Sequence, residues 1–410
     1  MRSNYKKLAP YIREVDIRNT EDKKDNLLGV STQKVFIKSI ANTVGTDFKS
    51  YKIVKKGQFT YVPDTSRRGD KIGIALLEDE DQGLVSQAYT VFEVIDTEKL
   101  LPEYLMMWFR RPEFDRYARY MSYGSVREIF SWEEMGNVEL PIPDITKQRE
   151  IVKEYNVLVN RIALNNKLIQ KLEETAQAIY KQWFVDFEFP DENGKPYKSN
   201  GGEMLESELG EIPKGWKVGR LEDLNLDVSD GNYSAKYPKS SEFQKEGVPF
   251  VRGTDFEQKC INPFNLQYIT KEKHSQLLKG HIKEGDILIT TRGSIGKYAY
   301  VTSKFIGANI NSQLVRLNGQ KTYSTFFLGC LLDSQSYQES ILSATTGSVQ
   351  PQLPISNLMK TKLIIPNEIL IKTFSDEYSC LLVESLRKSE ENYVLRELLN
   401  ILLCRISTVF

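Results

Sequence analysis

The sequence predicts a duplicated α/β (α+β) architecture: two tandem modules, each followed by a long α-helix, with the two helices forming an antiparallel coiled coil. Three observations carry this. MSYGSVREIFSWEEMGNVELPIP (121–143) and TTGSVQPQLPISNLMKTKLIIP (345–366) both hold Gly-Ser-Val, a short apolar block and a Leu-x-Ile-Pro stop. One spacing of 223 residues (366 − 143) places Gly124 on Gly347 and Pro143 on Pro366. Each stop is followed by about forty residues without Gly or Pro, long enough for a sustained helix.

At that spacing VSQAYTVFEV (85–94) falls on ANINSQLVRL (308–317), both alternating and strand-like. Upstream, VKKGQFTYV (54–62) matches IKEGDILIT (282–290), with Gly57 on Gly285 once a short insertion is allowed. A basic, glycine-bearing turn follows each, SRRGDKIGIA (66–75) and TRGSIGKYAY (291–300), so Arg68 and Arg292 correspond within one residue. Repetition of order as well as composition points to a duplicated module. Pro143 and Pro366 then separate strand from helix, because proline cannot extend a ladder and is tolerated where a helix begins.

The first helix shows 4-3 spacing through Ile151, Tyr155, Leu158, Ile162, Asn165, Ile169, Leu172, Ala176 and Ile179, a heptad seam interrupted only by Asn165. About 38 residues of helix would be ~57 Å long. The second, from about Glu368 to Ile406, is less regular: Phe374, Tyr378, Leu381, Leu382, Leu386, Tyr393, Leu398 and Leu402 are apolar, while Ser385 and Lys388 fall at seam places. Such stripes need cover. Each helix can cover the other; the alternative is that each packs on its own module. DFEFPDENGKPYKSNGGEMLESELGEIPKGWKV, rich in turn-forming residues, reads as a linker. The expected division is a first module at 1–145, a helix at 146–186, a linker at 187–215, a second module at 216–366 and a helix at 367–410.

The 55 basic residues balance 55 acidic ones. Neutrality argues against a free-standing nucleic-acid binder, unless partners share the phosphate contacts. Four cysteines without a C-x-x-C pair suit reduced thiols. The opening MRSNYKKLAPYIREVD lacks the apolar core of a signal peptide, and no long apolar run follows, so a cytoplasmic chain without membrane contact is expected. The only histidines, His274 and His281, are too few and wrongly spaced for zinc, and no metal is expected.

Catalytic motifs are lacking. INPFNL (261–266) only partly resembles the aromatic-Pro motif that holds a flipped base. GSIGK (293–297) has the wrong spacing for a phosphate loop, and Tyr298 stands where a hydroxyl residue should follow Lys297. The chain is expected to be non-catalytic by itself. Its basic turns suit recognition better, because the arginine fork meets guanine O6 and N7 together, lysine suits phosphate, and Asn or Gln can meet adenine. Candidate DNA contacts are Arg67, Arg68 and Lys71 in the first module and Arg292, Lys297, Asn311 and Gln313 in the second. The Gly-Ser-Val turns add Ser125 and Arg127, and Ser348 and Gln350, whose glycine, hydroxyl and amide could grip a phosphate. Solubility is the alternative for any one arginine, a self-satisfied turn for Asn311 and Gln313, and a structural turn for Gly-Ser-Val.

AQAIYKQWFVDFEFP (176–190), SELGEIPKGWKVGRLEDL (207–224), GDILITTRGSIGK (285–297) and the twice-written cadence resemble the specificity subunit of type I restriction-modification systems, over nearly the whole chain. The resemblance implies that each module is a target-recognition domain reading one half of an asymmetric, split site in double-stranded DNA. It implies that the helix pair sets the spacer and docks two methyltransferase (M) subunits, which carry S-adenosylmethionine. Translocase-nuclease (R) subunits using ATP and Mg would join for restriction, the chain itself holding no cofactor. Modules on the same groove face lie about 10 base pairs apart, leaving roughly 5 to 8 pairs unread. The alternative is a coiled-coil scaffold whose modules bind proteins and not DNA. A fused enzyme is a third reading, opposed by the missing catalytic domain.

Overall fold

A computed structural model describes residues 5–39, 45–65, 69, 71–122, 128–233, 236–264, 266–320 and 322–407. The chain forms two compact units, residues 1–161 with 395–410, and residues 162–394.

In the first unit, Phe59–Tyr61 and Thr90–Val94 are rich in β-branched and aromatic residues and pair antiparallel. Phe59 opposes Phe92, their rings stacked 4.8 Å apart. Ile12–Val15 and Ile74–Leu76 complete a four-stranded sheet in the order Ile12–Val15, Thr90–Val94, Phe59–Tyr61, Ile74–Leu76. Helices Pro102–Phe109 and Pro112–Tyr120 both start on a proline, whose missing N–H costs nothing there. They bury Tyr104, Leu105, Phe109 and Phe114 in the same core as Phe59 and Phe92. Tyr5–Lys7 pairs with Glu139–Pro141, the strand that leads into the first long helix.

The second unit repeats this plan. Asp227–Asp230, Leu314–Asn318, Asp286–Thr290 and Tyr298–Tyr300 form the sheet in the equivalent order. Thr325–Asp333 and Gln335–Ser343 are its helix pair, and Lys217–Arg220 pairs with Lys362–Ile365 before the second long helix. The ladders adjust the repeat in one place. Phe92 opposes Phe59, and Leu317 opposes Ile287. With Gly57 matched to Gly285, Phe92 therefore corresponds to Leu317, two residues from the partner that the constant spacing assigns. An even slip keeps every side chain on its face of the sheet.

The long helices run Ile145–Phe184 and Glu368–Arg405. In the first unit Ile151 and Tyr155 share a core with Leu403 and Ile406. In the second, Asn165 Nδ2 donates to Asn392 Oδ1 (3.0 Å), and Trp183 packs on Phe374 and Tyr378, each with ring centroids 5.6 Å away. Numbers rise along one helix as they fall along the other, so the pair is antiparallel. Ile151, Tyr155, Asn165, Ile169, Ala176 and Phe374 are buried, with Leu158, Ile162, Leu172, Ile179, Tyr378 and Leu381 half-buried beside them. Leu398 departs from the expected stripe: it is exposed, and Leu399 and Leu403 pack beside the expected Leu402.

Asn165 does not weaken the seam; it belongs to a polar layer. Asn392 Nδ2 donates in turn to Asn166 Oδ1 (2.8 Å), and Ser385, Lys388 and Ser389 are buried nearby along the second helix. A buried amide pair is satisfied in one register only, which makes this layer a device for fixing the helix alignment.

Residues 187–215 hold more structure than a linker needs. Met204–Ser207 and Gly210–Pro213 form a hairpin, and the Tyr197 N–H donates to Phe189 O (2.9 Å). Phe189 stacks between Tyr197 (4.6 Å) and Trp216 (5.3 Å), and Trp216 also meets Phe187 edge-on at 5.5 Å. The turn residues make real turns, while the aromatic residues among them join the main core of this unit. Trp216→Ala is expected to cost about 3–5 kcal/mol, as for other buried Trp truncations. A thermal melt of the purified chain checks this; a shift below about 2 °C would show that the clip is not part of the cooperative core.

Candidate nucleic-acid interface

Strand Asp286–Thr290 is buried throughout and feeds the chain into the turn 291–297. The turn closes on itself: Thr290 N–H donates to Lys297 O (2.8 Å), its hydroxyl to the same oxygen (3.1 Å), and Gly296 N–H to Thr290 O (3.0 Å). Gly293 (φ +73°) and Gly296 (φ +81°) occupy the left-handed region that a side chain disfavours. Arg292 and Lys297 project from this turn exposed, and neither has an ion-pair partner among the described residues.

Two further segments are tied to it. Thr291 N–H donates to Gln313 O (2.9 Å), and Leu353 N–H to Thr291 O (2.8 Å). Arg292 bridges Gln352 across the backbone, and Thr346 and Gln352 exchange two hydrogen bonds of 2.8 and 2.9 Å. Turn 291–297, residues 311–313 and loop 346–352 are thus assembled at one place. Of the residues singled out by sequence, Arg292, Lys297, Gln313, Ser348 and Gln350 are exposed there. Asn311 is a correction. It is only 6% exposed, and its Oδ1 accepts the Gln313 N–H at 3.2 Å, so its side chain serves its own turn.

Sequence reasoning missed a fourth segment. A Cβ on Gly231 would lie 2.1 Å from Asn311 O, so only glycine lets residues 230–233 approach this closely. Two residues on, Tyr233 donates its hydroxyl to Ser312 O while its side chain stays largely exposed. Burial raises the phenol pKa, and the nearby positive charge of Arg292 works against that rise. A lone exposed tyrosine has no periodic signature, although SDGNYS (229–234), a glycine and an aromatic after a strand, was a usable signal.

Behind the interface a buried charge network stiffens the sheet. Arg316 Nη2 donates to both oxygens of Asp227 at 2.8 Å, and Nη1 donates to Asp286 Oδ1 at 3.1 Å. Hydrogen bonds from Lys283 and Arg316 lower the Asp227 pKa. Asp286 is raised by its burial, despite donors from Lys283 N–H, Asn318 and Arg316. A lysine ties this module to the first long helix. Gln258 (φ +48°) and Lys259 (φ +57°) form a left-handed turn, and Lys259 Nζ sits 2.6 Å from Asp333 and 3.1 Å from Glu173 of the first long helix. Burial opposes the Lys259 charge, yet Asp333 and Glu173 together raise its pKa. The first unit has its own version: Lys34 (φ +63°), on a hairpin turn, buries its amine 2.8 Å from Asp115.

Arg67, Arg68, Ser125 and Arg127 lie outside the described residues. Lys71 is exposed, just before Ile72, whose N–H donates to Asp115 Oδ1 (3.1 Å). His274 and His281 have ring centroids 4.6 Å apart; His281 Nε2 donates to Leu277 O (2.6 Å), and His274 Nδ1 is hydrogen-bonded to the Asn309 side chain. Among the described residues no cluster of three or more His, Cys, Asp or Glu could hold a metal, and no helix is long and apolar enough to cross a membrane.

The family model for the type I restriction modification DNA specificity domain matches residues 3–174 and again residues 213–369. The chain belongs to this family. Two copies of the family's domain fall on the two modules that the sheets repeat. A specificity subunit of the type I restriction enzyme HindI from Haemophilus influenzae is 23% identical over 420 residues, covering 90% of this chain and 89% of that protein. The MjaIX specificity subunit from Methanocaldococcus jannaschii is 26% identical over 318 residues, covering 76% and 69%. The crystal structure of a type I restriction-modification S subunit from M. genitalium shares the fold, with a TM-score of 0.56 at 13% identity, over 98% of this chain and 95% of that one.

Proposed function

We propose that this chain is the DNA sequence-specificity subunit of a type I restriction-modification complex, each module reading one half of a split, asymmetric target. The observation that carries this is the second module's assembly of Arg292, Gln313 and Gln350 from separate loops on one rigid sheet, within a domain that the family describes as a DNA specificity domain. Base readers must be held by a stiff support to discriminate, and the Arg316 network and the lysine clamp supply one. Because the two modules differ in sequence, their half-sites should differ.

The antiparallel helices, with their register fixed by the asparagine layer, would set the unread spacer and dock two M subunits. Chemistry would reside in partners: methyl transfer in M subunits bearing S-adenosylmethionine, and translocation and cleavage in R subunits using ATP and Mg. An overall neutral chain suits this division, since partners can supply phosphate contacts.

The test is modification-sensitive genome sequencing of cells expressing the M partner with and without this chain. A split methylated motif that disappears with the chain is the expected result. Unchanged methylation, with M active and bound to the chain, would leave the scaffold reading in its place.

A further inference from the structure

We propose that Tyr233 is a base-contacting residue of the second module, discriminating one position of its half-site next to the position that Arg292 meets. This rests on the DNA-reading function above. The side chain is anchored at one end and open at the other. Its hydroxyl is spent on the Ser312 carbonyl, yet the residue remains 57% exposed. A tyrosine that has already used its donor offers the solvent an aromatic ring, which suits a base face or a thymine methyl better than a phosphate oxygen.

Its mounting is rigid. Gly231 is pressed against the Asn311 carbonyl, and a Cβ on Gly280 would lie 3.0 Å from Gly231 Cα, so glycines on both segments permit the contact. The segment therefore cannot lift away from residues 311–313 without breaking close packing. Tyr233 is tied to Ser312, and the neighbouring Gln313 carbonyl accepts the Thr291 N–H, so the ring and Arg292, which has no ion-pair partner among the described residues, stand on adjoining segments. A guanidinium for a guanine edge beside an apolar surface for the adjacent pair is a combination that solvation alone does not require.

The experiment compares methylated motifs written by the M–S complex carrying the wild-type chain, Tyr233→Ala or Tyr233→Phe. Y233A is expected to reduce discrimination about ten-fold at one position of one half-site, leaving the other half-site's letters intact. Y233F keeps the ring and is expected to keep the motif. An unchanged motif at undiminished level in Y233A overturns the proposal. So does a uniform loss of methylation with unchanged letters, or altered letters in both half-sites, since either indicates a role other than base contact. If Y233A fails to assemble with M, Tyr233→Leu retains bulk over Ser312 and is read by the same criteria. Failure of the wild-type complex to write any split motif would count against the DNA-reading function itself, and is distinguishable from all of these.

Discussion

Arg316→Met is expected to destabilise the second unit by about 3–5 kcal/mol near neutral pH, the cost of leaving a buried carboxylate without its cation. Asp286 is fully buried in the strand next to Arg316, with Leu288 directly opposite Arg316 in the ladder. Without the guanidinium it keeps only uncharged donors, the Lys283 N–H at 2.6 Å and Asn318 Nδ2 at 2.8 Å. Asp227 loses both of its 2.8 Å contacts to Arg316 and keeps Lys283. For a unit of this size the change corresponds to a fall in Tm of roughly 10 °C.

The pH dependence follows from the two carboxylates. The folded pKa of Asp227 is lowered, so its stabilisation is present above the unfolded value and disappears as pH falls through the folded one. Asp286 has a raised folded pKa, so protonation relieves its burial as pH falls into the window between the raised value and the ordinary one. Both effects make the cost of R316M smaller in acid, that of Asp286 already above the ordinary carboxylate value and that of Asp227 only below it. Adding Asp286→Asn should recover part of the loss by removing the stranded charge. Denaturation near neutral pH and at about pH 4 checks this; a cost that grows in acid would mean that the network is not the cause.

The legible part of this fold was what periodicity and repetition encode. The seam from Ile151 to Ile179 could be read because buried positions recur every three to four residues. Gly-Ser-Val and Leu-x-Ile-Pro fixed the duplication because their spacing is identical in both copies. The less regular second helix concealed a physical reason: its Ser385, Lys388 and Asn392 are buried polar residues that match Asn165 and Asn166 across the seam. Composition of a single helix cannot show that a polar seam residue has found its partner. Segment 187–215 shows the opposite case. Gly, Pro and Asn dominate its count, while Phe187, Phe189 and Tyr197 decide its packing with Trp216.

At the interface, residue type predicted chemistry but not direction. Asn311 and Gln313 sit two apart on one segment, yet the first turns inward to cap the second's N–H while Gln313 stays exposed. Strand alternation alone puts both on the same face, so only the turn that ends the strand separates them. Tyr233 could be placed only when Gly231 was seen against Asn311, a contact between residues 80 positions apart in the chain.

Arg292 and Lys297 share one turn but should behave differently. Arg292→Ala is expected to cost about 1–3 kcal/mol in binding of the M–S complex to its cognate duplex and to relax one position of a single half-site. Lys297→Ala should weaken binding about equally for cognate and altered duplexes and reduce the salt slope by about one. The distinction follows from geometry. Arg292 is pinned beside Gln352 on a backbone bridge, so its fork is presented from a fixed base. Lys297 leaves the turn just before buried Tyr298, and a flexible ammonium there suits a diffuse phosphate contact. Titration of both variants over a salt series, with duplexes altered one base pair at a time, separates the roles. If R292A lowers affinity uniformly across the altered duplexes, Arg292 is a phosphate contact, and base discrimination in this module must come from Gln313, Gln350 and Tyr233.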